Sequence, residues 1–241
     1  MAEQNGVQRV LVVVAHPDDC DFGCAATTAR WTSKGLDVAY CLVTDGDAGG
    51  SDRSITRTRM AEIRREEQRL AAEEVGVSDL TFLGYPDGKL QPSIELRRDI
   101  SRVIRQKRPD RVVTQSPLHN FHRIFASHPD HRAAGQAALD AVYPDARNPF
   151  AHPELLEREG LEPHTVKEVW LMSGQVGTPD EVIDVTDTAD RKLAALRRHR
   201  SQYEDWAALE DRVRTWLKAT AEANGLVDGR LAEAFHVVHT G

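Results

Sequence analysis

The sequence has few of the residues that define disulfide-rich and redox-motif proteins. Cysteine occurs three times in 241 residues, as Cys20, Cys24 and Cys41, and no two of these form a Cys-x-x-Cys pair. An odd number without such a pair is typical of a protein in a reducing compartment. We expect Cys20 and Cys24 to be small buried hydrophobes, with an extra ligand or a nucleophile as the alternative role.

Long apolar runs and clusters of basic residues are also missing. The first apolar run, Val10 to Val14, follows the polar residues Ala2 to Arg9 and is too short for a signal peptide or a membrane span. Lys and Arg (31) are dispersed among Asp and Glu (38), for a net charge of −7. We therefore predict a cytoplasmic protein that inserts in no membrane and binds no nucleic acid.

No repeat or low-complexity linker divides the chain. A length of 241 residues is enough for one domain with a full hydrophobic core. We expect residues 1–241 to form a single domain, and a homo-oligomer of it would be unsurprising.

The nucleotide-binding fingerprints are absent as well. In a dinucleotide-binding fold a Gly-rich turn follows the first strand, whereas here Val10 to Val14 leads into Ala15-His16-Pro17-Asp18-Asp19. The Gly-rich segment Asp45 to Gly50 lacks the Gly-Lys-Ser/Thr ending of a phosphate loop. A nucleotide-binding Rossmann-like protein is therefore kept only as an alternative.

Strand and helix patterns alternate along the chain. Strands are predicted at residues 10–14, 38–44, 79–83, 111–114, 165–172, 181–185 and 231–239. Helices are predicted at residues 21–34, 56–75, 93–107, 129–142 and 204–223, and after Asp187. Residues 144–163 have no clear periodicity, which is typical of a lid or rim. The alternation predicts an α/β, Rossmann-like three-layer fold with a mostly parallel sheet between helix layers.

The first strand runs into a cluster that could bind a metal. A β-branched run buried on both faces places His16 to Asp19 at the carboxyl end of a strand, where open α/β sheets bind ligands. His16 and Asp19 are three residues apart, so a helical turn would bring an imidazole and a carboxylate to one side. Asp18, between them, is left free to act as a general base for water at the metal. Taken alone, the tetrapeptide fits a simple turn equally well.

A second cluster argues against the simple turn. His128-Pro129-Asp130-His131 supplies two more histidines, three residues apart, at another predicted passage from strand to helix. Two His-Pro-Asp clusters in one chain are hard to explain as turns. His119 and His122 have no carboxylate or cysteine at metal spacing, so we expect them in a loop or at the rim of the site.

The two clusters resemble the PIG-L/LmbE family of metal-dependent N-deacetylases. That family includes N-acetylglucosaminyl-phosphatidylinositol deacetylase and the sugar deacetylases of mycothiol and bacillithiol synthesis. Further similarities extend over most of the chain, at Asp21-Phe22-Gly23-Cys24, Arg64-Arg65-Glu66-Glu67, Leu83-Gly84 with Asp87-Gly88, and Lys192 with His199-Arg200-Ser201-Gln202.

The resemblance implies a role for each residue that matches the motifs. The implied metal ligands are His16, Asp19 and His131. Asp18 is implied as general base, His128 as the group that stabilises or protonates the tetrahedral intermediate, and Asp130 as the residue that orients a histidine. Either Asp18 or His128 would protonate the leaving amine. Arg64 and Asp87 match positions that contact the sugar in relatives.

One position departs from the pattern of some relatives. They have a tyrosine two residues before the first histidine of the second cluster, where this chain has Ala126. The group that assists the developing oxyanion is then His128 alone, or a loop residue that the sequence does not identify.

The resemblance implies a zinc-dependent hydrolase that removes an N-acetyl or N-acyl group from a glucosamine-type conjugate. Two imidazoles and one carboxylate suit Zn²⁺, and also Fe²⁺ or another divalent metal. The expected partner is a small N-acyl amino sugar, whose aglycone the segments 45–53 and 144–163 would select.

Several alternatives stay open. A thiol-conjugate amidase and an antibiotic-tailoring N-deacylase belong to the same family, and a non-catalytic metal-binding protein would use the same ligands. A non-haem iron oxygenase also uses these ligand types, but on an all-β barrel rather than on alternating strands and helices.

Overall fold

The computed structural model describes residues 6–121, 124–172 and 178–241. Within these residues seven strands form one sheet in the order β3-β2-β1-β4-β5-β7-β6. Strands β1 to β5 pair in parallel, and β7 is antiparallel to both β5 and β6. The bounds are β1 Arg9–Val14, β2 Asp37–Thr44, β3 Asp79–Tyr85, β4 Arg111–Thr114, β5 Glu168–Met172, β6 Glu181–Asp184 and β7 Ala232–His239.

Helices cover both faces of the sheet, which confirms the predicted three-layer fold. They are α1 Asp19–Gly23, α2 Ala25–Ser33, α3 Arg57–Glu74, α4 Ile94–Lys107, α5 Pro129–Asp140, α6 Pro153–Glu157, α7 Ala189–Leu196 and α8 Trp206–Ala223. Residues of α2, α3, α7 and α8 pack in one core cluster, and residues of α4 and α5 pack in the other. In the described ranges, no helix has both the length and the apolar character needed to cross a bilayer.

Strand β1 lies at the centre of both cores. Val10, Val12 and Val14 belong to one cluster, while Leu11 and Val13 belong to the other. Successive side chains of a strand point to opposite faces, so a continuous apolar run supplies both layers. Cys20 and Cys24 are buried in the first cluster, as expected for small hydrophobes.

The helix predicted from Asp21 to Lys34 is in fact two helices. It breaks at Cys24, whose φ is −149°, and distant side chains bond the backbone groups at the break. Lys192 donates to the carbonyl of Phe22 at 2.6 Å. Glu233 accepts the N–H groups of Ala26 and Thr27 and also pairs with Lys192 at 2.6 Å. The prediction was wrong here because these partners lie more than 160 residues away.

Residues 144–163 do not form the expected lid. They include helix α6, and the buried Arg105 donates to five backbone carbonyls in this part of the chain, from Asp145 to Leu161. Arg105 lies near the carboxyl end of α4, which leads into the amino end of β4. Residues 144–163 are therefore held at the edge of the sheet where β4 begins. The His-Pro-Asp clusters follow the carboxyl ends of β1 and β4, at the opposite edge.

Candidate active site

The two His-Pro-Asp clusters meet at the carboxyl edge of the sheet. Strands β1 and β4 are paired neighbours, so the residues that follow them converge. The ring centroids of His16, His128 and His131 are 5.1 to 5.2 Å apart. Residues more than a hundred positions apart thus form one group of imidazoles.

Asp19 joins two of these imidazoles. Its Oδ2 lies 3.3 Å from His16 Nδ1, and its Oδ1 lies 3.0 Å from His131 Nε2. Asp19 thus contacts both of the histidines that were expected as ligands beside it. His128 also has a ring nitrogen within 4.8 Å of those of His16 and His131, so distance alone would allow it as a ligand.

The hydrogen bonding of His128 distinguishes it from the other two histidines. His128 caps helix α5, and its Nδ1 accepts the backbone N–H of Asp130 at 3.2 Å. Burial and the neighbouring His16 and His131 lower its pKa. The ring is therefore neutral with its proton on Nε2, which makes it a donor.

The charge balance of the cluster favours a cation. Burial alone would lower the pKa of His16, but hydrogen bonds with Asp130, Asp19 and Asp87 raise it to about 12. Burial would raise the pKa of Asp19, yet His131 and His16 hold it well below its usual range. The carboxylates thus retain protons on the imidazoles when no other positive charge is present, and a divalent ion fits this donor set in place of those protons.

A carboxylate on the Nε2 side of His16 fixes the orientation of its ring. Asp130 Oδ2 lies 3.2 Å from His16 Nε2, and the Asp130 carboxylate accepts the N–H groups of Gly88 at 2.6 Å and Leu90 at 3.2 Å. A carboxylate on the second nitrogen of a metal-binding histidine sets the orientation of the ring. Asp130 therefore lies where the expected orienting residue would be.

Arg64 and Asp87 line the cavity, but both also contact site residues. Asp87 Oδ1 is 3.2 Å from His16 Nε2, and its Oδ2 accepts the N–H of Ala48 at 3.1 Å. Arg64 is 4% exposed, donates to Gly46 O at 3.1 Å, and has a guanidinium nitrogen 3.3 Å from Asp18 Oδ2. Both residues can position the site as well as contact a substrate.

Asp18 has contacts that the sequence did not predict. Its φ is 90°, an uncommon value for a residue other than glycine, and its N–H donates to Gln68 Oε1 at 2.7 Å. The hydroxyl of Tyr203 donates to Asp18 Oδ2 at 3.0 Å. Burial raises the pKa of Asp18, while Arg64 acts to lower it.

Gln68 is itself held by a buried pair. Its Nε2 donates to Asp21 Oδ2 at 3.0 Å, and His199 Nε2 is 2.8 Å from the same oxygen. Asp21 and His199 both belong to the segments noted for their resemblance to the family. The resemblance to the family was the one sequence signal that pointed to Asp21 and His199, although it suggested no role for them.

A cavity of about 1090 Å³ opens onto the cluster. Ala48 and Gly49 line it, as expected for the 45–53 segment, whereas no residue of 144–163 does. The structure thus corrects the expectation that residues 144–163 border the site. His119 is exposed and stacks on Phe121 with ring centroids 5.4 Å apart, and His122 lies outside the described residues.

Fold and site together define a class of protein. It is a Rossmann-like α/β protein with a His/Asp cluster that could hold a cation and a ligand-sized cavity at the carboxyl edge of its sheet. The family model described as GlcNAc-PI de-N-acetylase, PIG-L, matches residues 11–142, which include both clusters. The chain belongs to this family, which confirms the resemblance.

Individual relatives are similar over most of their length. The chain is 34% identical to a diacetylchitobiose deacetylase of Thermococcus kodakarensis, over 88% of this chain and 77% of the relative. It is 32% identical to a probable N-acetyl-alpha-D-glucosaminyl L-malate deacetylase of Bacillus cereus, over 85% of this chain and 87% of the relative. The solved N,N'-diacetylchitobiose deacetylase of Pyrococcus horikoshii superposes with a TM-score of 0.88 at 32% identity, over 97% of this chain and 85% of that one.

Proposed function

We propose that the protein is a metal-dependent N-deacetylase that hydrolyses the N-acetyl amide of an amino-sugar conjugate. The observation that carries this proposal is the position of Asp18. Asp18 lines the same cavity as His16, Asp19 and His131, and it is not one of the three proposed ligands. The names of the three relatives described above, each a deacetylase of an N-acetylated sugar, support the same reaction.

His16, Asp19 and His131 would hold the divalent ion. Two neutral imidazoles and one carboxylate suit Zn²⁺, with Fe²⁺ as the second candidate. When bound, such an ion lowers the pKa of a water molecule to about 7 and polarises the acyl carbonyl.

Asp18 would act as the general base. Arg64 and Tyr203 both contact its Oδ2, which leaves Oδ1 to accept the proton of the attacking water. The same carboxyl would then give this proton to the amine nitrogen as the C–N bond breaks. A neutral His128 is a poorer acid for this step, because loss of its Nε2 proton would leave an imidazolate anion.

His128 would stabilise the developing oxyanion. The cap of α5 engages its Nδ1, so its Nε2–H is the group available to the cavity. A donor fixed before the reaction stabilises a charge that forms only in the transition state. In this role His128 assists the acyl oxygen and is not a metal ligand.

Acetate release from a panel of N-acetylglucosamine conjugates tests the reaction. We expect the zinc-loaded protein to release acetate, and Asp18→Asn to keep one metal per chain while losing at least about 10²-fold in kcat, as expected for general base catalysis. His131→Ala should lose the metal, whereas His128→Ala should retain it. Retained turnover in Asp18→Asn would reject the assigned base.

The panel also separates the alternatives within the family. Thiol conjugates and N-acylated glycopeptides belong in it beside simple sugars, because the cluster itself would cleave any amide that the cavity admits. No release from any member by a protein that holds one metal would favour a non-catalytic metal-binding role.

We also infer one domain in a reducing, cytoplasmic location. A single sheet whose strands run from Arg9 to His239 supports the first point. The free, buried state of Cys20, Cys24 and Cys41 supports the second.

A further inference from the structure

A buried glutamine lies at the base of the crevice between β1 and β4. Val13 pairs with Thr114, the last residue of β4, so the next residue, Gln115, lies where the two strands part. Gln115 is 8% exposed and lines the same cavity as Asp18 and His128. It is therefore a polar side chain at the point where open α/β sheets bind ligands.

One end of the Gln115 amide is fixed by the backbone beside the first His-Pro-Asp cluster. Its Oε1 accepts the N–H of Ala15 at 3.0 Å in a buried hydrogen bond. Ala15 directly precedes His16, so this bond joins the end of β4 to the start of the first cluster. Because a backbone N–H bonds to the oxygen of an amide and not to its nitrogen, the contact also determines which way the amide is turned.

The backbone of Gln115 lies against the helix that carries the second cluster. An added Cβ on Gly135 of α5 would lie 2.1 Å from the carbonyl oxygen of Gln115, so a glycine is needed for the helix to approach so closely. Gly135 comes four residues after His131, which places both on the same side of α5. Gln115 thus lies between the two clusters, bonded beside one and packed against the helix of the other.

The other end of the amide is a donor that no protein group uses. Among the residues that the structure describes, no acceptor lies within hydrogen-bond distance of Gln115 Nε2, and this nitrogen retains accessible surface. Its NH₂ group diverges from the oxygen that Ala15 holds, so it is open to the cavity. It can therefore donate a hydrogen bond to a bound molecule.

The position of this donor favours the reacting group over the rest of a ligand. A donor deep between the two clusters is near the amide that is cleaved there, whereas the hydroxyl groups of a sugar extend toward the cavity mouth. Its orientation is set before any ligand binds, because Ala15 holds the amide oxygen. Fixed, uncharged donors of this kind stabilise charge that develops only in the transition state.

We propose that Gln115 is a catalytic residue that donates a hydrogen bond from Nε2 to the acyl oxygen as this oxygen becomes an oxyanion. Gln115 and His128 would then form an oxyanion hole with two donors, one at the end of β4 and one at the start of α5. Gln115 would be the loop residue that the sequence alone does not identify. The inference rests on the proposed deacetylase function, since that reaction forms the oxyanion.

Two substitutions of similar size separate the donor from the bond to Ala15. Gln115→Glu keeps an oxygen for the Ala15 N–H but has no N–H group, whereas Gln115→Met has neither. With N,N'-diacetylchitobiose as substrate, both should lose about 10²-fold in kcat, the usual effect of removing one oxyanion donor. The zinc content should be unchanged in both. Only Gln115→Met should also lower Tm, because it leaves the Ala15 N–H buried and unpaired.

A tetrahedral mimic gives a readout that a structural role would not change. In the methylphosphonamidate of glucosamine, a tetrahedral phosphorus and a charged oxygen replace the acyl carbon and the oxyanion. Its affinity should fall in both variants by about the same factor as kcat, as expected for a contact made in the transition state. Calorimetric binding of diacetylchitobiose to Asp18→Asn should stay within about twofold when either Gln115 substitution is added, because the ground state lacks the charge.

Gln136→Glu is the matched control. Gln136 is partly buried on α5, donates to Asp140 Oδ1 at 2.8 Å, and is not among the residues that line the cavity. The same change of side chain there should leave kcat and the affinity for the phosphonamidate at their wild-type values.

Three results would overturn the role of Gln115. Full activity in Gln115→Glu with impaired Gln115→Met would show that Gln115 acts only by holding Ala15. A loss of kcat in Gln115→Glu alone would be an effect of the added charge. Equal losses in affinity for diacetylchitobiose and for the phosphonamidate would show that Nε2 binds a group of the ground state.

The same samples separate this inference from the proposed function. If the wild-type protein releases acetate and both Gln115 variants match it, only the role of Gln115 is rejected. If the wild-type protein releases acetate from no member of the panel, the deacetylase is rejected, and the role of Gln115 with it.

Discussion

Asp18 is held in a backbone conformation that costs free energy, and its neighbours offset that cost. A left-handed φ for a residue other than glycine costs on the order of 1–3 kcal/mol and persists only where the surroundings impose it. Here the φ is 90°, and the bond from the Asp18 N–H to Gln68 lies within a buried chain that ends at His199. The geometry of the proposed base therefore depends on Gln68.

Replacing Gln68 should impair catalysis more than metal binding. Gln68→Ala removes the acceptor of the Asp18 N–H, so the carboxylate loses its fixed position beside the cluster. We expect kcat to fall about 10- to 100-fold, the usual effect of removing a residue that hydrogen-bonds and orients a site residue. The metal content should be unchanged. Steady-state kinetics and metal analysis of the purified variant measure both quantities.

Gln91→Ala is the matched control for that variant, because Gln91 is exposed and lies outside the cavity. It should match the wild type in kcat. If Gln68→Ala also matches the wild type, the chain from Gln68 to His199 has only a structural role.

Residues that belong to a local motif could be predicted from the sequence, whereas residues that reach the site only through long-range contacts could not. His16, Asp18, Asp19, His128 and His131 occur in two short motifs, so the sequence alone predicted them as one site, and the structure brings them to one cavity. Gln68 and Tyr203 reach Asp18 from 50 and 185 positions away. No local pattern marks such a contact, because only the folded chain brings these residues together.

At the scale of elements, the junction of α1 and α2 depends on one buried ion pair. Lys192 is 0% exposed and Glu233 is 4% exposed, and both bond backbone groups at the break as well as each other. Helix α1 carries Asp19 at its first position. The pair therefore supports helix α1, which positions the proposed metal ligand Asp19.

Breaking this pair should destabilise the whole protein. Lys192→Met leaves Glu233 buried without its cation, and loss of one partner of a buried pair costs about 3–5 kcal/mol. Denaturant unfolding followed by circular dichroism measures the change in the free energy of unfolding.

Lys218→Met is its control, since Lys218 is exposed and lies 3.6 Å from Glu222 in a surface pair. A surface pair contributes about 1 kcal/mol or less. Equal effects of the two variants would contradict the role assigned to the buried pair.

The elements themselves were predictable to within a few residues where periodicity was strong. Helix α3 was expected at residues 56–75 and is Arg57–Glu74, and β4 matched at Arg111–Thr114. Residues 144–163 were misjudged because they have no periodicity, and their position is set by the backbone carbonyls that Arg105 binds. Such contacts leave no local trace in the sequence.

At the scale of the whole molecule, the order of the strands places the site. From β1 the chain proceeds outward through β2 and β3, and then returns to form β4 on the other side of β1. Loops at such a reversal diverge and leave a crevice, where open α/β sheets bind ligands. The sequence predicted each cluster at a strand end, but only the strand order makes β1 and β4 neighbours.

Because the proposed ligands come from both sides of this reversal, a bound metal should stabilise the entire fold. His16 and Asp19 follow β1, while His131 lies on α5 beyond β4, so the ion would link two halves of the sheet edge. At a metal concentration of about 100 times Kd, binding adds about 2.7 kcal/mol to the free energy of unfolding. For a chain of this size that corresponds to a rise in Tm of about 5–11 °C. Scanning calorimetry before and after chelation measures it, and His131→Ala should show almost no shift. A wild-type Tm that chelation leaves unchanged would mean that the cluster is complete without a cation, and the proposed role of Asp18 beside a metal would have to be abandoned.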